Sequence, residues 1–393
     1  MSALVIGVPT EIKDSENRVA MQPDGVVELV HDGHQVLIQS GAGDGSRFAD
    51  DDYRTAGATI VDTADELFAR TDLVVKVKEP VPAEYHRFRE GQQLFTYLHL
   101  AADRGLTEFL VERRIDAIAY ETVQTADGKL PLLTPMSEVA GRLAVQAAAH
   151  HLESPAGGAG VLLGGVPGTP AAKVTIIGGG VAGTEAAKIA VGMRAIVRVF
   201  DTNPMRLAYL SDIFGGRLDL VTPNRARLSA YIADSDVVIG AVLVPGTRAP
   251  KLVSRAMIAS MRPGSVAVDI AIDQGGCFET SRATTHSDPV YVEEGVVHYC
   301  VANIPGAVAR TSTLALTSAT LPYLVDVARE GVAGVARTHP ALAAGLSTLA
   351  GALVSEPVAA AHGLPHTPAE EVLGDGQGRG SEDRTRKTSS RRP

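Results

Sequence analysis

Val174-Thr175-Ile176-Ile177-Gly178-Gly179-Gly180-Val181-Ala182-Gly183 is the stretch that decides how this chain folds. The first four residues are apolar or β-branched and read as a buried strand, and residues 184–193 read as a helix. Between them stand glycines in the spacing Gly178-x-Gly180-x-x-Gly183. Alone this spacing is weak evidence: with 40 glycines in 393 residues, roughly 0.4 matches are expected by composition. Its position is what counts. The first glycine permits a tight turn, the second lets backbone approach a pyrophosphate, and the third allows close helix–strand packing. The N-terminus of the helix then offers its N–H groups and partial positive charge to phosphates.

Residues 195–200 form the next β-rich run, which ends in Asp201, 18 residues past Gly183. A carboxylate there accepts hydrogen bonds from ribose hydroxyls and repels a 2′-phosphate, which favours NAD over NADP. Arg206, five residues on, moderates that preference. Strands at 237–243, 265–272 and 297–301 complete a Rossmann sheet. Each runs into a loop that could face a cofactor: Val244-Pro245-Gly246, Asp273-Gln274-Gly275-Gly276 and Asn303-Ile304-Pro305-Gly306.

The first third of the chain has the same rhythm. Strands are expected at 4–8, 35–39, 73–77, 94–98 and 117–120, with helices at 24–31, 64–70 and 106–114 between them. Such alternation predicts a second parallel sheet covered by helices. A helix is expected from Thr134, its N-cap, and Pro135 to about residue 152. Another runs over 311–332, with Pro322 as a kink. Residues 374–393 carry no apolar side chain before the final proline and read as a disordered tail.

Composition excludes several classes. Lys+Arg 36 against Asp+Glu 45 gives a net charge of −9, aromatics are 4% and Trp is absent. Neither an electrostatic footprint nor a stacking platform for nucleic acid is present. No uninterrupted apolar run reaches the roughly 18 residues of a membrane span, and the N-terminus does not read as a secretory signal. Cys277 and Cys300 match no disulfide framework or metal spacing, so no metal is expected and a reducing, cytoplasmic setting fits.

Ligands in doubly wound sheets bind beyond the carboxyl ends of the strands. In the first sheet Arg18, Lys78, His99 and Glu121 stand there, and Asp273 holds the equivalent place in the second. A hydride acceptor suits a substrate with a carboxylate and an oxidisable carbon. Arg18 could grip the carboxylate as a bidentate fork, Lys78 polarise a keto or imino group, and His99 move protons near neutral pH. Glu121 and Asp269 read as structural partners. Each of these signals is modest when taken singly.

Longer segments carry a resemblance. Gly7-Val8-Pro9-Thr10-Glu11-Ile12-Lys13 with Glu16-x-Arg18-Val19-Ala20, Lys76-Val77-Lys78-Glu79-Pro80, Leu98-His99-Leu100, Pro135-Met136-Ser137-Glu138 and Val268-Asp269-Ile270-Ala271-Ile272-Asp273-Gln274-Gly275-Gly276 run in the same order as in bacterial L-alanine dehydrogenases. The likeness extends to about residue 373. It implies reversible NAD-dependent oxidative deamination of L-alanine to pyruvate and ammonia. Arg18 and Lys78 would bind substrate, His99 would act in acid/base catalysis, and Asp273 would lie in the catalytic cleft. Ser137, Asp201 and Asn303 would contact the cofactor beside Gly178, Gly180, Val181, Ala182 and Gly183.

The resemblance also implies two α/β domains with doubly wound parallel sheets. A central Rossmann NAD domain (134–309) would be inserted in a discontinuous, flavodoxin-like substrate domain (1–133 and 310–373). Family members are commonly homohexamers. Relatives acting on another small amino or imino acid, or a non-catalytic transhydrogenase-like subunit, are the alternatives. Four positions depart from the family pattern: Arg194 for glycine, Ile304 for methionine, Ala309 for proline and Ser318 for asparagine. Arg194 falls at a turn that favours positive φ, where a side chain costs about 1 kcal/mol.

Overall fold

The computed structural model describes residues 3–242 and 249–374. The expected loop Val244-Pro245-Gly246, the last residue of the 237–243 strand and the tail beyond Gly374 lie outside these residues. The strands in chain order are β1 (Val5–Val8), β2 (Gln35–Gln39), β3 (Thr59–Val61), β4 (Leu73–Val75), β5 (Gln93–Thr96), β6 (Asp116–Ala119), β7 (Lys173–Ile177), β8 (Ile196–Phe200), β9 (Leu218–Val221), β10 (Val237–Gly240), β11 (Val266–Asp269), β12 (Val290–Glu293), β13 (Val296–Tyr299), β14 (Leu346–Leu349) and β15 (Ala352–Leu353). They form two sheets in two compact units. Of the described residues, one unit comprises 3–13, 19–132 and 317–374, and the other 14–18, 133–242 and 249–316.

The first sheet is ordered β15-β14-β6-β5-β4-β1-β2-β3. Its strands are parallel from β3 to β6, while β14 and β15 pair antiparallel at one edge. Compared with the flavodoxin-like order, β3 is an added strand outside β2. The second sheet is ordered β12-β13-β11-β10-β7-β8-β9, with only β12 antiparallel. Its parallel strands therefore run β9-β8-β7-β10-β11-β13, the doubly wound order with a topological switch between β7 and β10. Strands β4, β10, β11 and β13 are buried throughout, which is why they read as continuous apolar runs rather than alternating ones.

In the second unit the helices Thr134–His151 and Val181–Gly192 share one core with β7, β8, β10 and β11. Small residues on both helices, Ala144, Ala148, Ala186 and Ala190, are buried in it. Gly141 makes the closest approach possible, since a Cβ there would stand 2.1 Å from the carbonyl oxygen of Ala182.

Two expectations are corrected in detail. Thr134 is the first helical residue and Leu133 the N-cap, with Pro135 within the opening turn, where its missing N–H costs nothing. The long helical segment Ala309–Thr338 is interrupted at Gly331 (φ 72°, ψ 164°), while Pro322 lies inside it. Gln93 on β5 receives the break, its Oε1 accepting from Val332 N at 2.7 Å.

Arg194 stands at the turn from the helix Val181–Gly192 into β8 with φ 67°. Replacing it with glycine removes the left-handed strain. Arg194→Gly is expected to stabilise the protein by about 1 kcal/mol, a rise of about 2–4 °C in Tm measured by scanning calorimetry.

Candidate functional site

In the second unit the glycine turn follows β7 directly. Gly178 has φ +101°, and a Cβ there would meet Ala241 O, just beyond β10, at 2.6 Å. At Gly183 a Cβ would lie 1.8 Å from Gly178 O. Both positions thus require glycine, one for conformation and both for space. Gly180 is different: a Cβ there would meet nothing within 4 Å. It is the N-cap of the helix Val181–Gly192 and caps it with no side chain. The helix therefore begins at an uncrowded position, with first-turn N–H groups that no side chain caps.

Asp201 follows β8 and closes the other side of this turn. Its Oδ2 accepts from Gly179 N at 2.7 Å and its Oδ1 from Asn203 N at 2.8 Å. Each carboxylate oxygen can accept a further bond, so the group can still meet a ribose. Arg206 crosses the turn. Its Nε donates to Gly179 O, and its Nη2 to Gly180 O at 3.2 Å and Thr184 Oγ1 at 2.7 Å. Ser137 is half-buried one helical turn before Gly141, on the face that meets Ala182. These residues fit a dinucleotide: glycine backbone and a helix N-terminus for the pyrophosphate, and a carboxylate at the end of the second strand of the motif.

Also in this unit, Asp269 ends β11 fully buried. It accepts from Ala271 N, Cys277 N and Ser281 Oγ, a structural anchor for the turn that carries Asp273. Asp273 is exposed, and its Oδ1 accepts from Asn303 N at 3.2 Å. Asn303 has a left-handed backbone (φ 65°), and its neighbour Ile304 is buried in the core.

Arg18 belongs to this unit too, within the short segment 14–18. It is buried. Its guanidinium donates to the Glu16 carboxylate, to Asn303 Oδ1 at 2.7 Å and to Met136 Sδ at 3.2 Å.

In the first unit the switch between β1 and β4 is occupied by charge. Lys76, completely buried, donates to Glu11 Oε2 at 3.1 Å and Glu84 Oε1 at 2.9 Å. Burial pulls the Lys76 pKa down, but the two carboxylates outweigh it and hold the value above 10.5. Glu11 also accepts from the backbone N–H of Val77 (2.6 Å) and of Lys78 (3.3 Å). It thereby fixes the turn from which the half-buried Lys78 projects. Glu79 pairs with Lys13. Burial pushes the Glu79 carboxyl up, yet Lys78 and Lys13 together bring it below its usual value.

His99, beyond β5, is the most exposed of this group, with 43% of its side chain accessible. Its backbone is left-handed (φ 49°), a strained conformation for a residue with a Cβ. Glu121, after β6, holds it there by accepting from His99 N at 2.6 Å, and lies 3.9 Å from the ring Nδ1. The ring stacks parallel to Tyr97, centroids 5.9 Å apart, and Tyr97 donates to Leu132 O. Sequence reasoning placed Lys78, His99 and Glu121 at strand ends. It did not assign functions to Glu11, Lys76, Glu84 or Tyr97, because their partners are distant in sequence. Among the described residues no cluster suited to a metal ion occurs, and no helix is long and apolar enough to cross a membrane.

Residues 7–140 match the family described as alanine dehydrogenase/PNT, N-terminal domain, and residues 144–356 match its C-terminal domain. The chain is 55% identical over 373 residues to the alanine dehydrogenase of Methanococcus maripaludis, covering 95% of this chain and 100% of that one. Among solved structures it is similar to an L-alanine dehydrogenase, with a TM-score of 0.88 and 53% identity over 92% of this chain and 99% of that one. A transhydrogenase from Sinorhizobium meliloti is more distant, with a TM-score of 0.76 and 26% identity over 90% and 99%.

Removing Lys76 would leave two buried carboxylates facing each other. Lys76→Met is expected to destabilise the protein by about 3–5 kcal/mol in urea titrations. Since the folded Lys76 pKa is raised, its contribution is complete below 10.5, so the difference should persist at least to that pH.

Proposed function

The chain belongs to the alanine dehydrogenase family, and from that membership we propose how its residues divide the work. It is an NAD-dependent oxidoreductase that converts L-alanine and water reversibly to pyruvate and ammonia. The observation that carries this reading is identity over nearly the whole chain, and Arg18, Lys78, His99 and Asp273 stand where the resemblance puts the family's working residues.

When bound, NAD supplies the acceptor for the hydride that leaves the alanine Cα. The unit built on β7–β13 acts as the nucleotide domain. Gly178, Gly180, Val181, Ala182 and Gly183 hold the pyrophosphate by backbone, Asp201 the ribose, and Ser137 and Asn303 the remaining polar contacts. Arg18 grips the substrate carboxylate with fixed charge. Lys78 brings an ammonium to the substrate nitrogen or carbonyl oxygen as charge develops there. Loss of hydride leaves an imine. His99 then takes a proton as water adds to the imino carbon, and the carbinolamine collapses to pyruvate and ammonia. Exposure and stacking suit His99 to proton transfer, because the ring reaches solvent protons while Tyr97 and Glu121 hold its direction. Asp273 completes the catalytic group.

The transhydrogenase-like alternative has less support, because Lys78 is retained and that relative is less similar than the dehydrogenases. A homo-oligomeric assembly, hexameric by family resemblance, and a cytoplasmic location complete the proposal. Two buried thiols, Cys277 and Cys300, accord with a reducing compartment.

The test is NADH formation at 340 nm with NAD and a panel of L-amino acids at alkaline pH. Highest turnover is expected with L-alanine; NADH binding without turnover on any member would overturn the reading. His99→Ala should lower kcat by about 10²–10⁴ while NADH affinity changes little. Near-normal turnover in that variant would remove the acid/base role.

A further inference from the structure

We infer that Glu16 is a positioning residue for the reaction: its carboxylate sets the plane of the Arg18 guanidinium and locks it to Asn303. The inference rests on the assignment of Arg18 to the substrate carboxylate.

The two side chains are almost wholly enclosed, with 2% of Arg18 and 0% of Glu16 accessible. Glu16 Oε1 accepts from Arg18 N at 3.0 Å and from Nε at 2.7 Å. Its Oε2 accepts from Arg18 Nη2 and from Asn303 Nδ2 at 2.8 Å. Asn303 Oδ1 in turn accepts from the same Nη2 at 2.7 Å. Three side chains thus close a ring, and the Nε–Nη2 edge of the guanidinium is held in a two-point fork.

Four donors converge on two acceptor oxygens, an arrangement only a carboxylate satisfies. A glutamine would turn an amide N–H₂ toward donors it cannot accept from. Burial opposes the charge on Glu16, but Arg18, followed by Asn303, outweighs it and keeps the carboxyl below its ordinary value. The segment carrying both residues has no regular secondary structure. A flexible four-bond side chain there would otherwise sample many orientations. The ring also reaches Asp273, since Asn303 N donates to it. Orientation of the arginine and of the loop that bears Asn303 is therefore one and the same constraint.

The experiment is steady-state reductive amination with Glu16→Gln, Arg18→Lys and the double variant, varying pyruvate and ammonium separately and measuring NADH affinity by fluorescence. Glu16→Gln should raise KM for pyruvate at least tenfold, with KM for ammonium within twofold of wild type and NADH affinity lowered by less than the pyruvate KM rises, because Asn303 keeps its bond to Arg18. A merely structural role would move all three alike. The double variant should have a pyruvate KM no higher than that of Arg18→Lys alone, because toward the substrate carboxylate Glu16 acts through Arg18.

An unchanged or lowered pyruvate KM in Glu16→Gln overturns the inference, as does additivity in the double variant. If Arg18→Lys itself leaves the pyruvate KM unchanged, the substrate assignment of Arg18 is what fails. Should Glu16→Gln not fold, Glu16→Asp, which keeps the charge but shortens the reach, is read by the same three constants.

Discussion

Backbone lies directly against backbone at the start of the helix Val181–Gly192, and much of the second unit follows from that contact. Gly183 abuts Gly178 O, Gly178 abuts Ala241 O, and Gly141 of a second helix abuts Ala182 O. No side chain fits at any of these points. The helix can therefore begin close to the end of β7, its N-terminus aimed along the crevice where the strand order reverses. Asp201 and Arg206 then brace the turn from outside, one through an N–H and the other through carbonyl oxygens. The result is a rigid surface whose open position is Gly180.

Each unit buries an ion pair, and each arrangement serves a loop rather than a core. Lys76 pairs with both Glu11 and Glu84 where no water can, and Glu11 turns its other oxygen to the N–H groups of Val77 and Lys78. Glu16 does the equivalent for Arg18. Buried ion pairs are a poor source of net stability, but they define geometry well because each alternative leaves a charge unpaired. That property matters more than raw stability for a cation whose direction must be fixed. His99 is held by another device: a left-handed backbone made tolerable by the bonds Glu121 accepts.

Much of this was legible from residue order. The limits of β2 and of the helix Ala64–Arg70 follow from apolar patterning, since both are bounded by turn residues and local sterics decide where they stop. The glycine spacing was legible because each glycine answers a backbone demand. Lys78, His99 and Glu121 could be placed at strand ends because a parallel sheet presents its carboxyl ends on one side. What stayed hidden depends on tertiary partners. Lys76 and Lys78 are two residues apart in one run, and nothing local says that the first would be sealed between Glu11 and Glu84. Arg18 reads as a fork for a carboxylate, and nothing local says that its guanidinium also meets Asn303, 285 residues later. Pro322 drew attention as a kink, whereas the interruption at Gly331 is met by Gln93, which is far away in sequence.

The edge strands β14 and β15 carry a consequence for how the molecule is made. They join a sheet whose other six strands are complete by Ala119, and Thr348 bonds Ile115 across a separation of 233 residues. A ribosome therefore delivers the whole second unit before the first can finish its sheet. Until then β6 has an uncovered edge, a ladder of unpaired N–H and carbonyl groups. The unit begun first is the one completed last. Protection of that edge during synthesis becomes a selective pressure separate from anything the finished enzyme does.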